Sequence, residues 1–169
     1  MHDISILKNP LTFSPSQDVI DFIKNHERLR LKAYRVGTDV DNDGKLDIHD
    51  GQITIGYGHA EPVKTSKYKK GDKITKQEAD MIFMIDLKKA ESGVQRIFEQ
   101  WQAAGIDIKI SQHMYDSMVS MAFNMGVSGL RQSKFIKALK TGDHIKAASV
   151  IKNSRNSGKF GGLNKRRKE

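Results

Sequence analysis

The chain has 169 residues, no cysteine and a formal net charge of +9. Its hydrophobic and charged fractions, 37% and 29%, are those of a water-soluble globular chain long enough to bury a core, so one domain with sub-lobes is favoured and disulfide or thiol chemistry is excluded. The opening stretch MHDISILKNPLTFSPSQ lacks a basic region followed by a long apolar run, so neither a signal peptide nor a membrane-inserted segment is expected.

Ser14 followed by Pro15 is a cap and first-turn signal, and Val19, Ile20, Phe22 and Ile23 give the helix it opens an apolar side down to about His26. Glu27 stands at the end of that helix. Residues 29–34 and 52–57 read as short strands around an inserted loop, and together predict a small β lobe. Inside the loop, Asp39, Asp41, Asp43, Gly44, Leu46, Asp47 and Asp50 fall at positions 1, 3, 5, 6, 8, 9 and 12 of a twelve-residue EF-hand-type loop, with Lys45 at position 7 offering its backbone carbonyl. Five aspartates this close repel one another unless a hard dication neutralises them, and oxygen ligands select calcium or magnesium over zinc. The flanks read as strands where an EF-hand has helices, and position 12 is Asp where Glu is usual. A solvated acidic turn is the plainer reading, but the whole spacing matches, and bound Ca2+ with a structural or site-organising role is expected.

Residues 61–73, rich in lysine, read as a connector. Thr75 opens T-K-Q-E, a capping box, and Phe83, Leu87, Ala90, Val94, Ile97 and Trp101 recur at helical steps along one long helix, with Gly93 as a possible bend. Ser111 caps a further helix whose Met114, Met118, Met121 and Met125 form a stripe, better read as core packing than as a binding face. Residues 133–140 and 144–152 predict two more helices separated by T-G-D, and 153–162 read as a polar, glycine-rich loop.

The segment ERLRLKAY at 27–34 and TIGYGH at 54–59 resemble the catalytic segment of the phage-type lysozymes of glycoside hydrolase family 24, in which E-x-L-R-L-K-x-Y is followed by an Asp and then T-I-G-x-G-H. AFNMG at 122–126 and GGLNKRR at 161–167, the latter against a C-terminal G-L-x-x-R-R element, are similar to the family's later elements. The resemblance implies an α+β, lysozyme-like fold in a single domain. A small β lobe would take residues 27–74 with the Asp-rich insertion at 39–50, and a larger, mainly helical lobe residues 14–26 and 75–169, joined by a long helix and divided by a cleft. It also implies a muramidase that cleaves the β-1,4 bond between N-acetylmuramic acid and N-acetylglucosamine in peptidoglycan with inversion.

That chemistry needs one carboxylic acid to protonate the leaving oxygen and a second carboxylate across the sugar. Glu27 is the natural acid, with Phe22, Ile23 and Leu29 as apolar neighbours that would raise its pKa by desolvation. The family's Asp commonly sits nine residues after the Glu, where this chain has Val36. With the insertion looped out, Asp50 takes that position and Asp47 is the fallback, with Asp39 behind them. Thr54 resembles the threonine that helps hold the attacking water, and Asn124 a substrate contact. Arg166 or Arg167 resembles an arginine packed near the acid, and His59 is better read as a structural hydrogen-bonding group. Asp50 is claimed by both the ion and the chemistry, so the ion is expected to fold the insertion toward Glu27.

The Asp-rich loop carries a net −4, which leaves +13 on the rest of the chain. Such a field concentrates a protein on anionic polymers, cell walls and nucleic acids alike. The cations are scattered and the aromatics sparse for base stacking, so peptidoglycan is the expected partner and nucleic acid is not. A monomer made in a host cytoplasm and acting on the wall after release is expected. A lytic transglycosylase, which needs only the acid, and a non-catalytic wall-binding module are the rival readings.

Overall fold

The structure, a computed structural model, describes residues 6–36 and 51–156, for 151–156 the backbone only. Asp39, Asp41, Asp43, Lys45, Asp47, Asp50, Arg166 and Arg167 lie outside the described residues. The chain divides into two compact units, one of residues 15–89 and one of residues 1–14 with 90–169.

In the first unit Ser16, not Ser14, caps helix α1 (Gln17–His26), its side chain accepting from the Val19 N–H at 3.3 Å. The helix thus starts two residues beyond the Ser14–Pro15 signal, where the Ser16 side chain satisfies one of the N–H groups that the first turn leaves without a helical partner. Three strands follow, β1 (Arg30–Val36), β2 (Gln52–Gly56) and β3 (His59–Pro62), in an antiparallel sheet of order β1-β2-β3. Tyr34 faces Thr54 across β1 and β2, and Thr54 faces Ala60 across β2 and β3. Ala33, Ile53 and Ile55 are buried together, with Val63, Tyr68 and Ile74 packed against them. Strand alternation therefore turns Thr54 to the opposite face of the sheet, where it is only 3% exposed.

Helix α2 (Lys76–Ala103) begins with the predicted capping box: the Glu78 N–H donates to Thr75 Oγ1 at 3.1 Å and the Thr75 N–H to Glu78 Oε2 at 2.7 Å. It runs unbroken through Gly93. A Cβ there would stand 2.1 Å from Val127 Cγ2, so this glycine serves close helix approach.

The second unit contains the last part of α2 together with α3 (Gln112–Gln132), α4 (Lys134–Lys140) and α5 (His144–Asn156). Ser111 and Ser133 cap α3 and α4 through their side chains, accepting from the Met114 and Ile136 N–H groups. Helix α3 is interrupted at Gly126, whose φ of 76° and ψ of 160° are not helical. Met118 is fully buried and Met114, Met121 and Met125 partly so, as core packing requires. Helix α5 continues to Asn156, past the loop boundary expected at 153. A reciprocal backbone bridge between Lys8 and Ile110, at 2.9 and 3.0 Å, ties the N-terminal segment to the residues that follow α2. The elements make the expected α+β, lysozyme-like arrangement, a small sheet with a mainly helical remainder and one long helix. Among the described residues no helix is long and apolar enough to cross a membrane.

Candidate active site

Glu27 is the C-cap of α1. Its backbone has left the helix, with φ −88° and ψ 105°, while its N–H still donates to the Ile23 carbonyl at 2.9 Å. This fixes the Cα at the last turn and turns the side chain away from the helix axis. The carboxyl is partly buried and lies against the β2–β3 turn, where a Cβ on Gly58 would be 2.9 Å from Glu27 Oε2 and 3.5 Å from its Cδ. Gly58 has φ +86°, a conformation that L side chains resist, so both its dihedral and this contact select glycine. Glu27 and the T-I-G-Y-G-H segment, separated in sequence by the insertion, are thus brought together.

The turn itself is anchored. Tyr57, between the positive-φ residues Gly56 and Gly58, is buried and meets Phe83 of α2 edge-on, ring centroids 5.4 Å apart. Lys24 of α1 lies over both rings, 5.2 Å from the Tyr57 centroid and 5.0 Å from that of Phe83, and donates to Asp80 Oδ1 at 2.7 Å. Hydrogen bonds from Lys24 and then Lys76 hold the Asp80 carboxyl down at about 2, so it is an anion throughout the physiological range. A Cβ on Gly56 would reach Ala79 of α2 at 3.6 Å, so the backbone is close to the helix there as well.

On the outgoing strand His59 is held by two carboxylates. Its Nδ1 pairs with Asp86 Oδ2 at 2.7 Å and its Nε2 with Glu61 Oε1 at 3.2 Å, so both ring nitrogens are committed. The hydrogen bond to Asp86 is the largest influence on the imidazole and raises its pKa above 6.5 against the opposing effect of burial. Burial pushes Asp86 up, but hydrogen bonds from His59 and Lys89 outweigh it and leave the carboxyl below its ordinary value. Glu61 also accepts from Ser66 Oγ and the Lys67 N–H, both at 2.9 Å. These contacts are those of a structural histidine. Asp86 and Glu61 carry no motif of their own, and only the register Ile55↔His59 together with the placement of α2 reveals them.

Of the expected apolar neighbours of Glu27, Ile23 is buried at 4% and Leu29 is partly buried. Phe22 is 40% exposed, its ring resting on His26 at 4.0 Å. Thr54 sits in the middle strand, and Val36, at the position of the family's Asp, ends β1 opposite Gln52. Asn124 is exposed on α3, two residues before the Gly126 break, and belongs to the other unit.

The small sheet, mainly helical remainder and one long helix define a lysozyme-like fold, and solved structures share it. The muramidase domain of SpmX from Asticaccaulis excentricus superposes with a TM-score of 0.62 at 24% identity, covering 83% of this chain and 78% of that one, a likeness of fold. The endolysin from Escherichia coli O157:H7 phage FAHEc1 gives 0.59 at 28% identity over 83% of this chain and 75% of its own. The Phage lysozyme family profile matches residues 24–169, and the chain belongs to that family. It is similar to the endolysin of Bacillus phage B103, 30% identical over 156 residues. Those residues cover 91% of this chain and 51% of that relative, so the chain spans about half the relative's length.

Proposed function

We propose that the chain is an endolysin-type muramidase of glycoside hydrolase family 24 that hydrolyses the β-1,4 bond between N-acetylmuramic acid and N-acetylglucosamine in bacterial peptidoglycan. The observation that carries the reading is the Glu27 carboxyl packed on Gly58 of the T-I-G-Y-G-H turn. Membership of the phage lysozyme family and relatives named endolysin support it. Glu27 acts as the general acid. It protonates the glycosidic oxygen while water, oriented by Thr54 and activated by a second carboxylate, attacks the anomeric carbon from the other face. Asp50 is that carboxylate, with Asp47 as the alternative. An inverting mechanism requires the pair to stand about 6.5–9.5 Å apart, whereas about 5 Å would mean retention. Asn124 contacts the glycan.

Asp39, Asp41, Asp43, Asp47 and Asp50, with the Lys45 carbonyl, form a Ca2+ loop on this reading. The support is the spacing, an EF-hand register in which the carboxylates would otherwise repel. The ion organises the insertion; the acid–base chemistry itself needs no metal. Isothermal titration of Ca2+ into the chelated protein should give a single site that is abolished when Asp39, Asp41 and Asp43 are all replaced by Asn. Wall-clearing activity indifferent to both chelation and that variant would remove the ion from the mechanism.

The deciding experiment is digestion of purified peptidoglycan by wild type and Glu27→Gln, with products weighed by mass spectrometry. Hydrated muropeptides that drop at least about 100-fold in the variant, the scale of losing a general acid, support the muramidase. Valine at position 36 gives the lytic transglycosylase its one foothold, and anhydro-muramic products would establish that reaction instead. Wall clearing by Glu27→Gln equal to wild type would leave a non-catalytic wall-binding module.

A further inference from the structure

We propose that the lysine-rich edge of the unit spanning residues 15–89 is a docking surface for a phosphodiester-linked anionic polymer of the bacterial wall, apart from the glycan that Glu27 acts on. Residues 71–74 are hydrogen-bonded along the outer edge of β1: the Ala33 N–H donates to the Asp72 carbonyl at 2.7 Å, the Gly71 N–H to Ala33 at 2.9 Å and the Ile74 N–H to Leu31 at 2.9 Å. This pattern makes Lys32 and Lys73 a directly opposed pair flanked by hydrogen bonds. In antiparallel pairing that is the position where facing side chains stand closest, and like charges there are destabilising. The tight turn from Lys69 to Asp72, closed by the Asp72 N–H to the Lys69 carbonyl at 3.0 Å with Gly71 at φ +101°, presents Lys69 and Lys70 beside the pair. Lys64 and Lys67 extend the same connector, and all six lysines are exposed.

Among the described residues, the acids of this connector are engaged elsewhere. Asp72 accepts from the Lys69 backbone N–H at 2.7 Å, and Glu61 is held by His59, Ser66 and the Lys67 backbone. Among the described residues no carboxylate pairs with the side chain of Lys32, Lys64, Lys67, Lys69, Lys70 or Lys73. A concentration of cations held together by backbone hydrogen bonds, with its own acids withdrawn, is complementary to a chain of spaced phosphates. The cations are lysines, point charges suited to phosphate and lacking the planar fork with which Arg reads bases. The neighbouring aromatic ring does not offer a stacking platform either, since Tyr68 carries Lys67 over its face at 4.9 Å and His59 edge-on at 6.5 Å. A flexible polyol phosphate fits this surface better than a single-stranded nucleic acid.

The inference rests on the wall-lytic reading, and the test separates the two. Wild type and Lys64→Gln/Lys69→Gln/Lys70→Gln/Lys73→Gln are sedimented with walls carrying poly(glycerol phosphate) and with the same walls stripped of it by hydrofluoric acid, and both are assayed for hydrolysis of the stripped peptidoglycan. Wild type should bind the phosphate-bearing walls at least about tenfold more tightly than the stripped ones, the variant equally to both, with hydrolysis of stripped peptidoglycan unchanged by the substitutions. A variant that keeps the wild-type preference overturns the docking surface. So does a variant whose only loss is binding to a single-stranded oligonucleotide. Absence of hydrolysis in both proteins with the binding preference intact would overturn the muramidase reading and leave the surface standing.

Discussion

A side chain at residue 58 meets two separate penalties. At φ +86° an L residue is strained by roughly 1–2 kcal/mol, and its Cβ would press on Glu27 Oε2 at 2.9 Å. Gly58→Ala should therefore lower Tm by several degrees, at about 2–4 °C per kcal/mol for a chain of this size. It should also cut kcat by more than tenfold, because a displacement of under an ångström in a reacting group is costly. Gly105→Ala separates the two effects: residue 105 has φ +76° with open space around it, so Tm should fall while kcat holds. Equal losses of kcat in the two variants would mean that Gly58 matters to folding alone. Glu27, Thr54 and the glycine turn could be named as candidates from the sequence because they occupy contiguous motifs. The carboxylate proposed as the partner of Glu27 was not singled out, since five aspartates share one insertion and local pattern does not choose among them. The Gly58 contact was also hidden, because it joins residues 31 apart in the chain.

At the scale of elements, the β2–β3 hairpin depends on the His59 clamp to α2. His59 has its pKa raised in the folded chain, so its contribution is complete below the unfolded value of about 6.5 and disappears as pH rises through the folded value. Asp86 and Glu61 have theirs lowered, so their contributions are present above the ordinary carboxylate range and are lost as pH falls through the depressed values. The clamp is strongest between these limits, in mildly acidic solution. An NMR titration should place the His59 midpoint above 6.5, and Asp86→Asn should bring it down, below 6.5 if the burial effect prevails over the remaining bond to Glu61. The same variant should cost roughly 1.5–3 kcal/mol near pH 6, a penalty that narrows at alkaline pH. A His59 midpoint unmoved by Asp86→Asn would contradict this account. Gly93 gives a second element-level prediction: Gly93→Ala puts a methyl into Val127 and should destabilise by about 1–3 kcal/mol, partly recovered by adding Val127→Ala. Capping boxes and helical stripes made α2, α3 and α4 readable in advance. Strand β3, four residues His-Ala-Glu-Pro, has no strand signature and exists because the glycine turn returns the chain along β2.

Across the whole molecule, the order of a helix, a small sheet and a run of helices was readable, since each element carries its own periodicity. The joining of residues 1–14 to residues 90–169 was not, because it rests on the Lys8–Ile110 bridge between segments 102 residues apart that share no pattern. Charge is the other property of the molecule as a whole. The net +9 combines an acidic insertion of −4 with +13 elsewhere, so on the proposed function a wall polyanion would meet a strongly positive protein. Adsorption driven by such a field must weaken with ionic strength: raising salt from about 0.01 M to about 0.1 M shortens the Debye length from about 30 Å to about 10 Å. The Glu27→Gln protein, silent on the proposed mechanism, isolates the effect, since it would not consume the surface to which it binds. Its binding to intact walls should fall steeply over that range, whereas hydrolysis of short soluble glycan fragments by wild type should change little, the bond-breaking contacts being short-ranged. Filling the Asp-rich loop with Ca2+ would lift the net charge from +9 to +11, so calcium should strengthen adsorption at low salt and lose that effect as salt rises. Adsorption indifferent to salt would mean that short-range contacts with the glycan alone hold the protein to the wall, and that the positive body plays no part in delivering it.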